Sequence, residues 1–531
     1  MRTRIFAVCL FPLSLALAQA PAPSGEKPVA LYKGLGIWHH AIRTKSPEAQ
    51  KFFDQGMALM YGFNRYEALR SFRKASELDP QAAMTYWGMA MAQGPYINMD
   101  GEPEYNLKAS CEAVDAGLKV SGTPERERAY LEAAAKRCPD FQQPQAYIDA
   151  MREVAKRWPD DLDAATIFAE SIMIPVRWRW YSSEGTAAPG MAEAERTLEE
   201  VLRRWPDHPG ANHYYIHAVE SSRTPERAVP SAQRLMGVMP SAGHMVHMPA
   251  HIWLVMGDYE LAATVNERAA TVDREYLSMS QVHSGYHGYF IHNLHFVTYA
   301  REMQGNKAAF AKAAQEIGAA LAPIAQMMPE MADAFSTVTY FGWVRFAEWD
   351  TILKLPEPKS PQSAAVWRYA RALAFAARQD HAAAAHEQAV FEEMRKGVAA
   401  DAMWGLNKAT DMMALTSTVM AARLAATAAD AVPLWRRAVD MQDALVYDEP
   451  PAWYYPIRES LGAALLRAGM KPEAESVFRE GVRRSPRNGR MLFGLMETLR
   501  AEGKADDADS VKREFDAAWA KADIKASLAE M

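Results

Sequence analysis

Residues 49–80 read AQKFFDQGMALMYGFNRYEALRSFRKASELDP. Phe52, Gly56, Leu59, Ala68, Phe72 and Ala75 recur at helical spacing, and Pro80 closes the run. Small residues at these places let two helices approach each other, and proline cannot continue the second. The stretch therefore predicts a helical hairpin, and one hairpin cannot bury its apolar face alone. The same spacing returns near the C-terminus at Leu461, Gly462, Leu465, Ala474, Phe478, Gly481 and Pro486, followed by Leu492, Leu495, Leu499 and Ala508 as a capping repeat. In mid-chain, Ala194, Leu198, Val201 and Pro206 close one repeat. Tyr215, Ile216, Val219, Ala228, Ala232, Leu235 and Pro240 form the next, and Ala250, Trp253, Gly257, Tyr259, Ala262 and Ala269 a third. Looser hairpins are expected around Gln145 to Met173, Ile291 to Leu321, Trp367 to Met394 and Leu434 to Tyr447, with loop insertions at Arg177 to Pro189 and Tyr276 to Ile291.

These residues resemble the tetratricopeptide repeat superfamily over most of the chain. The resemblance implies an all-α fold, a right-handed α-solenoid of helical hairpins whose concave wall is lined by the first helix of each hairpin and binds peptides. With His39-His40 near the start and His244-x-x-His247-Met-Pro-x-His251 in mid-chain, the sequence also resembles secreted bacterial repeat proteins with a His-rich central segment. That narrower likeness implies export but no particular reaction. The expected organisation is a signal peptide at 1–20, an extended segment at 21–47, an N-terminal and central array at 48–321 and a C-terminal array at 322–531.

The signal reading rests on Arg2 and Arg4, the apolar run Ile5 to Leu17 and the small-residue site Ala18-Gln19-Ala20. It places the protein in the periplasm or outside the cell, and no later stretch has the ~20 apolar residues of a membrane span. A net charge of −6 over 531 residues, without a dense Lys/Arg stripe, argues against nucleic acid as a partner. Removing the leader leaves Cys111 and Cys138, on either side of the turn Ser121-Gly122-Thr123-Pro124, as a candidate disulfide or as two buried thiols. No strand is read, and no phosphate-binding Gly loop, Cys-x-x-Cys or nucleophile elbow is present.

Nine of the fourteen histidines lie between His213 and His295. On a 34-residue period His213 aligns with His247 and His217 with His251. Counting back from Gly305, which matches Gly257, aligns His295 with His247 and His292 with His244. These places share one face of a helix at ~100° per residue. Glu170 falls level with His217 and His251, and Glu220 and Glu302 one turn further on. His283 and His287, with Tyr286 and Tyr289, belong to an insertion that folds over the groove as a lid or packs on its rim.

His-x-x-x-His places two imidazoles one turn apart. In register on adjacent helices, His213, His217, His244, His247, His251, His292, His295, His283 and His287 form a candidate metal-ligand set in the groove. Imidazole suits copper, zinc or iron rather than calcium or magnesium, and so many ligands exceed the needs of one ion. In a catalytic version, a metal-dependent oxidoreductase or hydrolase, Glu170 or Glu220 would move protons beside a wall of Tyr214, Tyr215, Trp178 and Trp180. The competing readings are a metal-free scaffold that grips a peptide, protein or small molecule, and a structural assembly factor. Each histidine taken singly also reads as a hydrogen-bonding groove residue. His39 and His40 would reach the site only if the N-terminal segment ran back along the groove, and His208, His381 and His386 read as ordinary surface or loop residues. Tyr447-Asp448-Glu449-Pro450-Pro451, with Trp453, Tyr454 and Tyr455, reads as a linker docking its aromatic side chains or as a ligand-binding rim.

Overall fold

The stretch 47–78 folds as the expected hairpin, helices Pro47–Tyr61 and Arg65–Leu78. Ser46 and Asn64 cap them, each side chain accepting a backbone N–H of the first turn. The ring of Phe72 fills the space left by two absent side chains: a Cβ on Gly56 would lie 2.6 Å from it, and one on Gly88 in the next helix 2.4 Å. Phe478 does the same between Gly462 and Gly494, where the distances would be 2.6 and 2.2 Å. One packing device thus recurs at both ends of the array.

The computed structural model describes residues 27–98, 105–138, 141, 143–280, 286–326 and 329–531. It is an all-α solenoid of tetratricopeptide-like hairpins, and helix pairs such as Pro144–Arg157 with Leu162–Met173, His287–Met303 with Lys307–Leu321 and Pro361–Ala377 with His381–Lys396 fall where the looser spacing placed them. The candidate leader, residues 1–20, lies outside the described residues. No described helix is long and apolar enough to cross a membrane. Cys111 and Cys138 are disulfide-bonded, with Cα atoms 5.8 Å apart.

Two expectations need correction. A two-stranded antiparallel ribbon, Met403–Trp404 with Asn407–Lys408, interrupts the helices, because Gly405 turns the chain with φ +58°. The insertion at Tyr276 to Ile291 is mostly helical: helix Tyr259–Ser280 runs past Tyr276, and helix His287–Met303 begins before Ile291. Tyr286 and Tyr289 are buried rather than on a rim, and Tyr286 donates a 2.8 Å hydrogen bond to the buried carboxylate of Asp273.

The coil closes on itself. Arg345 forms an ion pair with Glu459 (2.9 Å), both fully buried, and Arg490 donates to the Arg345 carbonyl (2.8 Å). Asp523 accepts the backbone N–H groups of Lys307 and Ala308, and Arg487 pairs with Asp258. These contacts bring the C-terminal repeats against the middle ones and carry the segment around Glu449 to the histidine-rich helices.

Candidate metal centre

His213 and His217 project from helix Pro209–Glu220, His244 and His247 from the short helix Gly243–His247, His251 from Pro249–Val255 and His292 from His287–Met303. Two groups result, His213/His217/His244 and His247/His251/His292, in each of which one ligand atom per residue lies within 4.8 Å of the others. The expected solvent-lined groove is corrected: His213, His217, His244, His247 and His251 are at most 2% exposed. Aromatic side chains close the space instead. Phe63 packs on His213 and His244 with centroids 4.3 and 4.9 Å apart, Phe296 on His247 and His251 at 4.7 and 5.2 Å, and Trp180 on His217 at 5.7 Å. Phe63 and Trp178, whose ring also meets His217, hold φ of 54° and 62°. Side chains other than glycine take this left-handed conformation at a cost, and such outliers gather at functional sites.

Hydrogen bonds decide which ring nitrogen faces inward. The Nδ1 of His213 lies 2.6 Å from the Tyr61 carbonyl, which can only accept, so Nδ1 carries the proton and Nε2 a lone pair. That Nε2 is 3.2 Å from the Nε2 of His244. His247 repeats the pattern: its Nδ1 lies 2.5 Å from Oδ1 of Asn266, whose amide nitrogen is committed to the Ala262 carbonyl. His247 Nε2 meets His251 Nε2 at 2.7 Å. Two ligands on one tetrahedral ion at ~2.0–2.1 Å stand about 3.3 Å apart, close to the His213–His244 spacing.

Behind the rings sits a pair of buried carboxylates. Glu220 accepts from Nδ1 of His217 through Oε1 (2.8 Å) and from Nδ1 of His251 through Oε2 (2.5 Å), so it ties one imidazole of each group together. Glu449 pairs with the same His251 nitrogen and accepts the Tyr447 hydroxyl (3.1 Å). Burial raises both glutamates, Glu449 also through the neighbouring Glu220 charge. Burial opposes charge on His251 too, yet Glu449 and Glu220 hold its proton up to about 10. The other five rings are driven toward the neutral, ligating form, chiefly by burial; His217 falls to about 3. Buried and without a hydrogen-bond partner are His217 Nε2 and His244 Nδ1.

Several expected members stand elsewhere. Glu170 is not in this cluster; its surroundings are Arg65, Arg137 and Tyr214, because its face of helix Leu162–Met173 turns toward the N-terminal repeats. Glu302 faces Arg345. His295 lies one turn beyond His292 against Phe335, outside both groups, and His287 belongs to neither. His283 lies outside the described residues. His40 does run back to the array but joins a second buried cluster, where Asp163 accepts from His40 Nδ1 (2.8 Å), Tyr61 (2.6 Å) and Trp38 (3.1 Å). His208, expected on the surface, is fully buried, caps its helix through Nδ1 and faces Asp163 with Nε2 at 3.3 Å. Sequence reasoning missed Glu449 as a partner of the site, Asn266, and the aromatic lids Phe63 and Phe296. The only local sign of Glu449 was an acidic pair inside an aromatic, proline-rich segment.

No family model matches this chain, and no curated protein matches it. Among solved structures it is similar to the human IFIT1 dimer with m7Gppp-AAAA, at 12% identity over 90% of this chain and 91% of that one, with a TM-score of 0.33. The IFIT1 dimer with PPP-AAAA aligns at 11% identity over 89% and 91%, again with a TM-score of 0.33. Alignments this distant carry no inference about ligand or activity.

Proposed function

We propose that the protein binds a pair of transition-metal ions, one at His213/His217/His244 and one at His247/His251/His292, and uses them in a metal-dependent reaction, as an oxidoreductase or hydrolase. One observation carries the reading: His213 and His247 each commit Nδ1 to an acceptor and turn Nε2 on another histidine's Nε2 within 3.2 Å, and at His251 the ion would displace the Nε2 proton that Glu449 and Glu220 otherwise hold there. Fixing one ring nitrogen so that the other can ligate is what outer-shell partners do at metal sites. Three imidazoles per ion leave a coordination position for water, dioxygen or substrate. Copper, zinc and iron accept such donors, and the general order of affinities favours copper. Glu220, held between His217 and His251, is the proton-moving group of the catalytic version.

A metal-free scaffold for a peptide or protein remains the second reading, supported by the solenoid itself. It gives no reason to bury five imidazoles in mutual contact. Residence in the periplasm or outside the cell belongs to the same proposal, supported by the leader-like N-terminus and by a disulfide that suits an oxidising compartment. Elemental analysis of the purified full chain tests the metal reading. About two equivalents of one transition metal are expected, and His247→Ala with His251→Ala should remove one of them. A protein that stays metal-free after incubation with copper, zinc and iron refutes the proposal and leaves the scaffold.

A further inference from the structure

Residues 27–46 form neither helix nor strand, yet they lie fixed across the array. Two glutamines of helix Pro47–Tyr61 hold the segment by its backbone. Gln55 donates to the Ala30 carbonyl (2.9 Å) and accepts the Tyr32 N–H (2.7 Å). Gln50 donates to the His40 carbonyl (2.8 Å) and accepts the Ile42 N–H (3.0 Å). Each amide thus spans a carbonyl and the N–H two residues on.

Between these two grips the segment reaches the supports of two histidines, His244 and His213. It lies flush on the turn that leads into helix Gly243–His247, which carries His244. There the Gly34 carbonyl accepts the Ser241 N–H (3.1 Å), and a Cβ on Gly36, whose φ is +85°, would stand 2.8 Å from the Val238 carbonyl oxygen. Further along, Trp38 and His40 join Tyr61 on the Asp163 carboxylate. The Trp38 ring also stands edge-on to that of Tyr61, with centroids 6.0 Å apart. Gly210, one turn before His213, makes room for the same Tyr61 ring, since a Cβ there would lie 2.4 Å from it. With its ring held in this way, Tyr61 presents the carbonyl that fixes His213 Nδ1 at 2.6 Å.

His213 and His244 come from different hairpins, so the 3.2 Å between their Nε2 atoms depends on what holds the two backbones in place. The second group takes its orienting bonds from Asn266, Glu220 and Glu449 instead. His247 shares the short helix with His244 but is tied to Asn266 on helix Tyr259–Ser280. We infer that residues 34–40 form a clasp that sets the His213–His244 spacing, with Gly36 and Trp38 as positioning residues. The ion at His213/His217/His244 then depends on this segment, and the ion at His247/His251/His292 does not. The statement about the ions rests on the function proposed above; the hold on the two rings does not.

Two variants of the full chain test the clasp. Gly36→Val puts a β-branched side chain where φ is positive and lifts the segment from Val238, and Trp38→Leu removes the indole N–H from Asp163. Chelator-treated protein is exposed to diethyl pyrocarbonate, which acylates an accessible imidazole lone pair, and the modified peptides are read by mass spectrometry. In the wild type the exposed His39 is expected to react while His213 and His244 stay protected. In both variants His213 and His244 should react about tenfold faster or more, with His247 and His251 still protected. Copper(II) titration of the same samples against a chromophoric chelator should show one of two equivalents weakened about 10–100-fold and the other unchanged. A brace of the fold alone would move both groups together, so equal exposure of all these rings in both variants overturns the proposal. Rings that stay protected in both variants, with two copper ions bound, overturn the clasp and leave the metal proposal standing. The expected acylation pattern in a chain that takes up no copper keeps the clasp and sinks the metal proposal.

Discussion

Asn266 makes no contact with substrate or ion in the proposed centre, yet it decides how His247 presents itself. Replacing it with the similarly sized leucine removes the acceptor for Nδ1 and frees the ring to turn. Asn266→Leu should weaken metal binding about 10–100-fold while the fold persists, measured by competition with a chromophoric chelator. Asp273 supplies a pH prediction. Burial raises its pKa to about 7, against the hydrogen bonds from Tyr286 and Asn293. Because the folded state holds this proton more tightly than the unfolded chain, whose aspartate titrates near ~3.9, stability falls as pH rises between those values. Relative to Asp273→Asn, the wild type should lose about 1.4 kcal/mol per pH unit from pH 4 to 7, read from urea unfolding at several pH values. A flat difference would mean that Asp273 is ionised throughout. Asp163 works in the opposite sense. Burial raises it, but the contacts with His208 and His40 outweigh that and hold it well below the usual range, so its contribution is present above pH ~4 and lost on acidification.

Helices here meet where glycine makes room for a phenylalanine ring. A methyl group on Gly494 would stand 2.2 Å from Phe478, so ring or backbone must shift. Gly494→Ala should therefore destabilise by ~1–3 kcal/mol, although alanine favours an exposed helix by about 1 kcal/mol, and thermal unfolding gives the sign. Such elements were legible because the repeat writes them several times: Gly56 with Phe72 and Gly462 with Phe478 are the same sentence twice. The histidine register was legible for the same reason, since His213 and His247, or His217 and His251, differ by one period. What periodicity does not convey is which neighbour a side chain faces across the coil. Glu170 had the right place on its helix but the wrong surroundings. His208 looked like a loop residue and proved to be a buried helix cap. His295 kept its register and landed against Phe335.

Across the whole molecule, the closure between C-terminal and middle repeats brings Glu449 to His251 over a separation no local pattern can reveal. Arg345 and Glu459 lie at the centre of that closure, with Arg490 and Asn488 bonded around them. Arg345→Met leaves Glu459 without its charge partner in a dry interior, a loss of about 3–5 kcal/mol. It should also loosen the Glu449 contact, so metal dissociation should quicken together with the fall in melting temperature. Unfolding monitored by calorimetry and metal release monitored by a chelator would show the two moving together. If metal release is unchanged in the destabilised variant, the histidine groups do not depend on the closure.

The reach of Glu449 also sets an order of events during synthesis. All six imidazoles of the two groups have been made once the chain passes His292, whereas the carboxylate that shares His251 with Glu220 arrives more than one hundred and fifty residues later. A growing chain can thus offer a half-furnished nest of nitrogens long before its last repeats fold back to seal it. Loading of the proposed metal pair would then follow completion of the coil rather than accompany its ribosome-bound beginning.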